Sequence, residues 1–180
     1  MNVNERKILK CITSYDYAKL FNNKNTKIKL QKHPKLGIGL VSTKPIKKGE
    51  TIAFYKFKVF SDKNFRGYKD SMYTMTVETK NGNPSRTLIG DIYSGSLESP
   101  TADNITFYAF FSNEPTPKQN MNAELFTELS MNYSDRKTVK PGDTMIYSLK
   151  ATRAIAPKEP ITWCYGDFYQ RKYPVHPDCE

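Results

Sequence analysis

The chain has 180 residues and carries a net charge of +10, from 28 Lys and Arg against 18 Asp and Glu, with 38% hydrophobic and 26% charged residues. That length suits one domain with a sizeable core, and the composition is globular rather than disordered. No run of 18 apolar residues occurs, which excludes a membrane-spanning helix on sequence grounds.

The first residues, MNVNERKILKC, contain no apolar stretch before a cleavage site. They point to an intracellular protein, with nucleus and cytoplasm both open. Asn4 can cap a helix, Glu5 suits its first turn, and Ile8, Cys11, Ile12, Tyr15 and Ala18 form one apolar stripe. The run Asn22 to Asn25 ends that helix, so residues 1–25 read as an N-terminal helix and linker, 26–174 as the main domain and 175–180 as a tail.

Beyond the helix, strands dominate. Ile28 and Leu30 alternate with lysines, and Ile52 to Phe60 is rich in aromatic and β-branched residues. Tyr73 to Thr79 and Arg86 to Tyr93 flank Asn81-Gly82, a hairpin signal. Further strands are expected at Ile105 to Ser112, Met145 to Thr152 and Ile161 to Tyr165, and a short closing helix over Asp167 to Tyr173, stopped by Pro174. The fold class is therefore mainly β with short helices, an α+β domain with irregular Pro-rich connections. One internal echo links Thr43-Lys44-Pro45-Ile46-Lys47-Lys48-Gly49-Glu50-Thr51-Ile52 to Thr152-Arg153-Ala154-Ile155-Ala156-Pro157-Lys158-Glu159-Pro160-Ile161. Both copies read strand, basic turn, Glu, strand.

Charge is unevenly spread. Residues 1–90 hold nineteen basic and six acidic side chains, whereas residues 91–130 hold six acids and one base, Lys118. The basic half invites phosphate or acidic partners, and the acidic segment is a natural dock for a cationic substrate. Cys11, Cys164 and Cys179 lie far apart and fit neither a disulfide framework nor a Cys-x-x-Cys zinc site. With only His33 and His176 beside them, no metal site is expected.

Three elements carry candidate chemistry. Gly37 and Gly39 bracket Ile38 before a strand-like run and allow close approach of backbone to a ligand. A dinucleotide site would want a third glycine and a following helix, and neither follows. The second element, YAFFSNEP from Tyr108 to Pro115, ends in Asn113, whose amide can hold a ligand. The third, ITWCYGDFYQRKY from Ile161 to Tyr173, ends a strand in Trp163-Cys164-Tyr165-Gly166 and continues with Phe168, Tyr169 and Tyr173.

In this order the three elements resemble the SET domain of protein lysine methyltransferases, in a compact form without flanking zinc modules. Leu36-Gly37-Ile38-Gly39-Leu40 is similar to the family's opening G-x-G motif, Phe110-Phe111-Ser112-Asn113 to its R-F-x-N strand, and Ile161 to Gly166 to its closing E-L-T-x-D-Y-G. Both halves of the echo look like its basic turn and Glu segments. The chain departs from the pattern where Glu114 stands for the family's His and Cys164 for the Asp before the closing Tyr. The resemblance implies small curved sheets with a C-terminal segment threaded beneath the Asn113 loop as a pseudoknot. It also implies methyl transfer from S-adenosylmethionine to a lysine side chain of a basic protein or peptide, such as a histone tail. By position it makes Tyr165 the catalytic hydroxyl and assigns Ile38, Gly39, Asn113 and Tyr169 to the cofactor. Tyr108 and Phe110 fall to the substrate channel. A peptide lying as an added strand beside Arg86 to Tyr93 fits the same picture.

Two alternatives stand beside this. One is a SET-like interaction module without catalysis. The other is a nucleic-acid-binding domain using the basic N-terminal half and the basic-aromatic run that includes Phe54, Tyr55, Lys56, Phe57, Lys58, Phe60 and Phe65.

Overall fold

The structure is a computed structural model. It describes residues 27–33, 37–63, 74–78, 83–91, 108–127, 139–166, 169 and 171–179. The expected N-terminal helix lies outside the described residues.

Strands β1 (Ile28–His33) and β2 (Gly37–Ser42) form an antiparallel pair running from Ile28 opposite Ser42 to His33 opposite Gly37. The remaining strands are β3 (Thr51–Ser61), β4 (Thr74–Glu78), β5 (Pro84–Asp91), β6 (Ala123–Thr127) and β7 (Thr144–Ala151). They make one antiparallel sheet in the order β4-β5-β3-β7-β6.

Period-two alternation explains which face is buried. Along β3, Ala53, Tyr55, Phe57 and Val59 are buried, while Phe54, Lys58 and Phe60 keep partial exposure. Across from them Met145, Tyr147 and Leu149 of β7 are buried too. Edge-to-face contacts set Phe57 5.0 Å from Tyr147 and 6.1 Å from Tyr55, ring centre to ring centre. Gly90 of β5 lies over Phe57, where a Cβ would come within 2.3 Å of the ring.

The two echo segments pair with each other. Ile46 and Ile155 exchange both backbone hydrogen bonds, each 3.0 Å. In each turn the Glu carboxylate accepts the amide three residues earlier: Glu50 from Lys47 at 3.2 Å, Glu159 from Ala156 at 2.8 Å. This joint carries residues 160–163 away from the second turn and ties them to β2, where the Ile161 N–H donates to Leu40 O at 2.9 Å. The same segment bridges in parallel to the loop that carries Asn113, through Asn113 and Thr162.

Several expectations change. Ile105 to Ser112 was expected as a strand, but Ala109–Phe111 is a single 3-10 turn; residues 105–107 lie outside the described residues. Residues 108–112 are all buried, which strand alternation on a one-sided sheet does not give and a tight turn in the core does. Ile161 to Tyr165 forms one isolated bridge, Thr162 to Asn113, rather than a strand. Of the expected closing helix, Tyr169 and residues 171–173 are described, and none is helical. Residues 171–179 instead run back to the loop after Asn113: the His176 N–H donates to Pro115 O at 3.1 Å, and Val175 and Cys179 are buried. Cys179 is joined to Cys164 in a disulfide with a Cα separation of 5.1 Å, which corrects the reading that the cysteines fit no disulfide. The expected peptide position beside Arg86 to Tyr93 is also corrected. Over Leu88–Asp91 strand β5 is hydrogen-bonded to β3 on one side, and β4 pairs with it on the other, so that stretch offers no open edge; residues 92–93 lie outside the described residues.

Candidate active site

Three consecutive residues, Ser112, Asn113 and Glu114, hold the segment 163–165. The Trp163 N–H donates to Asn113 O at 3.2 Å, and its indole Nε1–H to Ser112 O at 3.2 Å. Tyr165 is held at both ends: its hydroxyl donates to Ser112 O at 2.9 Å and its backbone N–H to Glu114 Oε1 at 2.7 Å. The Ser112 hydroxyl is itself engaged, donating to Ile161 O at 2.8 Å.

Glu114 is a buried carboxylate, 1% exposed. Arg171 meets it in a bidentate pair, Nε to Oε2 at 2.9 Å and Nη2 to Oε1 at 2.7 Å, and the Tyr173 hydroxyl donates to Oε2 at 3.1 Å. Planar two-point contact of this kind is the strong form of a charge-assisted hydrogen bond. Burial pushes the Tyr165 hydroxyl well above the ordinary phenol value, with Tyr173, Tyr169, Tyr55 and Glu114 adding to the shift. The residue as a whole keeps partial exposure. Tyr173 shifts upward too, through burial first and the Glu114 charge second. Tyr165 is thus a neutral hydroxyl over the physiological range, able to donate and accept.

Tyr165 lines a cavity of about 620 Å³, with Tyr55, Phe110, Tyr147, Trp163 and Tyr169 and the acidic residues Asp62 and Glu78 among its walls. The Tyr165 ring stands 5.2 Å from Trp163 and 4.8 Å from Tyr169, both edge-on. Tyr147 OH accepts the Glu78 backbone N–H at 2.8 Å, and the Glu78 carboxylate accepts the Thr127 hydroxyl. Aromatic walls with carboxylates suit the aliphatic stem and cationic head of a lysine.

Asn113 also meets β2. A Cβ on Gly39 would stand 2.6 Å from Asn113 Nδ2, so glycine is what lets the amide lie against the strand. Asn113 Nδ2 points to Ile38 O at 3.5 Å. Ile38, Gly39 and Asn113 therefore gather in space, and hydrogen bonds through Ser112 and Asn113 link that junction to Tyr165. These three do not line the 620 Å³ cavity, whereas Phe110, Tyr165 and Tyr169 do. Tyr108, expected in the substrate channel, is fully buried, 5.9 Å from Phe111 ring to ring, and lies outside the cavity.

Sequence reasoning missed Tyr55 and Tyr147 as cavity residues, although their inward place in alternating strands was a usable signal. Trp163, given no role from the sequence, lines the cavity as well. Phe57, expected as a base-stacking residue in the nucleic-acid alternative, is 0% exposed and unavailable for stacking. Phe65 lies outside the described residues.

A SET-domain family model matches residues 37–166, more than half of the chain, and the chain belongs to the SET-domain family. Among solved structures, the SET domain of ATXR5 in complex with histone H3 di-methylated on R26 aligns with a TM-score of 0.51 at 16% identity, covering 83% of this chain and 61% of that one. ATXR5 in complex with histone H3.1 mono-methylated on R26 aligns at 0.49 and 18% identity, covering 83% and 60%. The methyltransferase domain of human PR domain-containing protein 2 aligns at 0.44 and 16% identity, covering 86% of each chain. The chain thus spans about three fifths of the ATXR5 chains. No curated protein sequence matched. The mainly β, SET-like fold is therefore that of the family.

Proposed function

We propose that this protein is a protein-lysine N-methyltransferase that uses S-adenosylmethionine and accepts a lysine on a basic protein or peptide, a histone tail being one such substrate. The observation that carries this reading is Tyr165: a neutral hydroxyl at the wall of an aromatic cavity, fixed on the carbonyl of Ser112, the residue before the Asn113 that packs on Gly39.

The donor group fits the residues present. At Gly39 the strand carries no Cβ, and Asn113 presents an amide beside it. Backbone of Ile38 and Gly39, the Asn113 amide and the Tyr169 ring would hold the donor. S-adenosylmethionine supplies, when bound, a methyl group on a positively charged sulfur.

The chain's own residues supply the rest. A free lysine amine has a pKa of about 10.4 and must lose its proton to attack. The carboxylates of Asp62 and Glu78 draw the cationic lysine to the cavity, and enclosure of its amine among Tyr55, Phe110, Trp163 and Tyr165 takes water from it, which disfavours the ammonium form. The Tyr165 hydroxyl gives its hydrogen to Ser112 O, so its oxygen lone pairs are free to orient the amine. Carbonyl groups of this loop add partial negative charge, which favours positive charge developing at the reacting centre. The acidic segment around Asn113 attracts a basic peptide.

The test uses isotopically labelled S-adenosylmethionine with mixed core histones, alongside calorimetric titration with the cofactor. Transfer of label to a lysine is expected. No transfer together with no cofactor binding would overturn the reading.

A further inference from the structure

Glu114 occupies a place where the backbone alone does not decide the geometry. Of the contacts that residues 112–114 make to 163–165, three end on carbonyl oxygens of Ser112 and Asn113. Any residues there would offer the same carbonyls. The fourth ends on the Glu114 side chain. That side chain is in turn held by Arg171 and Tyr173, from the returning C-terminal segment.

Arg171 reaches further. Its Nη2 donates to Gly166 O at 2.9 Å and its Nη1 to Tyr169 O at 3.2 Å, and its guanidinium stands 5.8 Å from the Tyr169 ring centre. One ion pair, its carboxylate buried and its guanidinium partly so, therefore spans both sides of the turn that carries Tyr165 and Tyr169. A plain structural pair would tolerate replacement by neutral groups of similar volume, because burying charge costs about as much as pairing returns. Here the carboxylate has a task that a neutral packing residue does not fulfil: it accepts the amide of Tyr165 while carrying the charge that keeps Arg171 on the turn.

We infer that Glu114, with Arg171 as counter-ion and Tyr173 as third partner, is the positioning residue of the methyl-transfer site. It fixes the backbone of Tyr165 and so the point at which the phenol meets the lysine amine. The inference rests on the lysine-methyltransferase reading above and assigns no direct contact of Glu114 with substrate.

The test compares Glu114→Gln, Arg171→Gln and the double variant, using S-adenosylmethionine and mixed core histones. Glu114→Gln is expected to lower kcat about tenfold or more, since small displacements of a reacting group are costly, with KM for the histones held within about threefold. The double variant is expected to recover at least about threefold in kcat over the poorer single variant, because no unpaired charge stays buried. Arg171→Lys and Tyr173→Phe keep the charge balance and serve where a Gln variant fails to fold; each is expected to lower kcat several-fold by loosening one contact. Independently, 15N-tyrosine labelling reads the Tyr165 amide, whose proton resonance should move upfield in Glu114→Gln or, where that variant does not fold, in Arg171→Lys. A folded variant with kcat within twofold of the parent and an unmoved amide resonance would overturn the inference. If the parent itself transfers no methyl group, the functional reading fails, while the amide shift still reports whether Glu114 holds Tyr165.

Discussion

Ile46 and Ile155 lie 109 residues apart in the chain and exchange both backbone hydrogen bonds at 3.0 Å. Each is the apolar residue at the same place in one copy of the repeated turn. Each is buried, at 2% and 1% exposure, so the joint is dry as well as bonded. It places β2 beside residues 160–163, and thereby Gly39 beside the loop of Asn113.

Truncation of either side chain is expected to be expensive. Ile46→Ala or Ile155→Ala should lower stability by about 2–5 kcal/mol in urea unfolding, from lost transfer energy plus the cavity. The double variant should cost less than the sum of the singles, since the two side chains share one site. Independent additive losses would show that the two turns do not pack as a unit.

The role proposed for Tyr165 makes a prediction for the pH dependence of transfer. Its folded-state pKa is raised, so its hydroxyl stays protonated across the physiological range and beyond the ordinary phenol value of 10.0. The transfer rate should therefore climb from pH 7 to 9 as the lysine amine loses its proton, with no descending limb from Tyr165. Tyr165→Phe should lower the rate about tenfold or more at every pH in that window. A fall in rate between pH 8 and 9 in the folded parent would contradict this assignment. The raised pKa also predicts stability that is full below about pH 10 and lost above it, as ionisation of the buried phenol is forced.

Two glycines separate binding from folding. Gly39→Ala should push the Asn113 amide aside and weaken S-adenosylmethionine binding in calorimetry about tenfold, with little change in melting temperature. Gly90→Ala meets the Phe57 ring, which is buried in the core, and should cost about 2 kcal/mol of stability. Equal effects of the two substitutions on binding would argue against a cofactor role for the Gly39 junction.

The disulfide is open to direct counting. The chain has three cysteines, and Cys164 and Cys179 are paired. Alkylation of the denatured protein should add one group before reduction and three after. Cys179→Ser should lower stability by about 3 kcal/mol, the loop-closure value for a separation of 15 residues. Three adducts without reduction would remove the pairing.

Acid should loosen the paired turns. The Glu50 carboxyl sits below its ordinary 4.5, through its bond from Lys27 and the Lys47 amide. Burial pulls Glu159 the other way, but bonds from Arg153, the Ala156 amide and Asn122 outweigh it and lower that carboxyl as well. Carboxylates with lowered folded values stabilise the native state above about pH 4.5 and release that stability as pH falls through those values. Glu159→Gln should flatten the loss of melting temperature between pH 5 and 3, measured by circular dichroism.

The sequence made some of this legible and hid the rest for physical reasons. The aromatic and β-branched run from Ile52 to Phe60 is β3. The strands flanking Asn81-Gly82 are β4 and β5, paired antiparallel as the turn signal implied. The repeated turn was readable as a repeat, but not as a pair of partners, because a local pattern does not say which segments meet. The run Tyr108 to Ser112 looked like a strand because buried aromatics favour strands and tight core turns alike. That β5 lies between two strands depends on sheet order, which no local motif encodes. Glu114 was visible only as a departure from the family's His. Its meaning required Arg171 and Tyr173, more than fifty residues later.

The cystine links residues 164 and 179 and so closes a covalent ring around Tyr165, Tyr169, Arg171 and Tyr173. Were that ring opened by reduction, the hydrogen bonds of Tyr165, Tyr173 and His176 would still tether the segment beside the Glu114–Arg171 pair. The grip of the Glu114 carboxylate does not depend on sulfur chemistry, so the same protein would keep its phenol in place on either side of an oxidative shift, with the loss showing first in resistance to heat and proteases rather than in turnover.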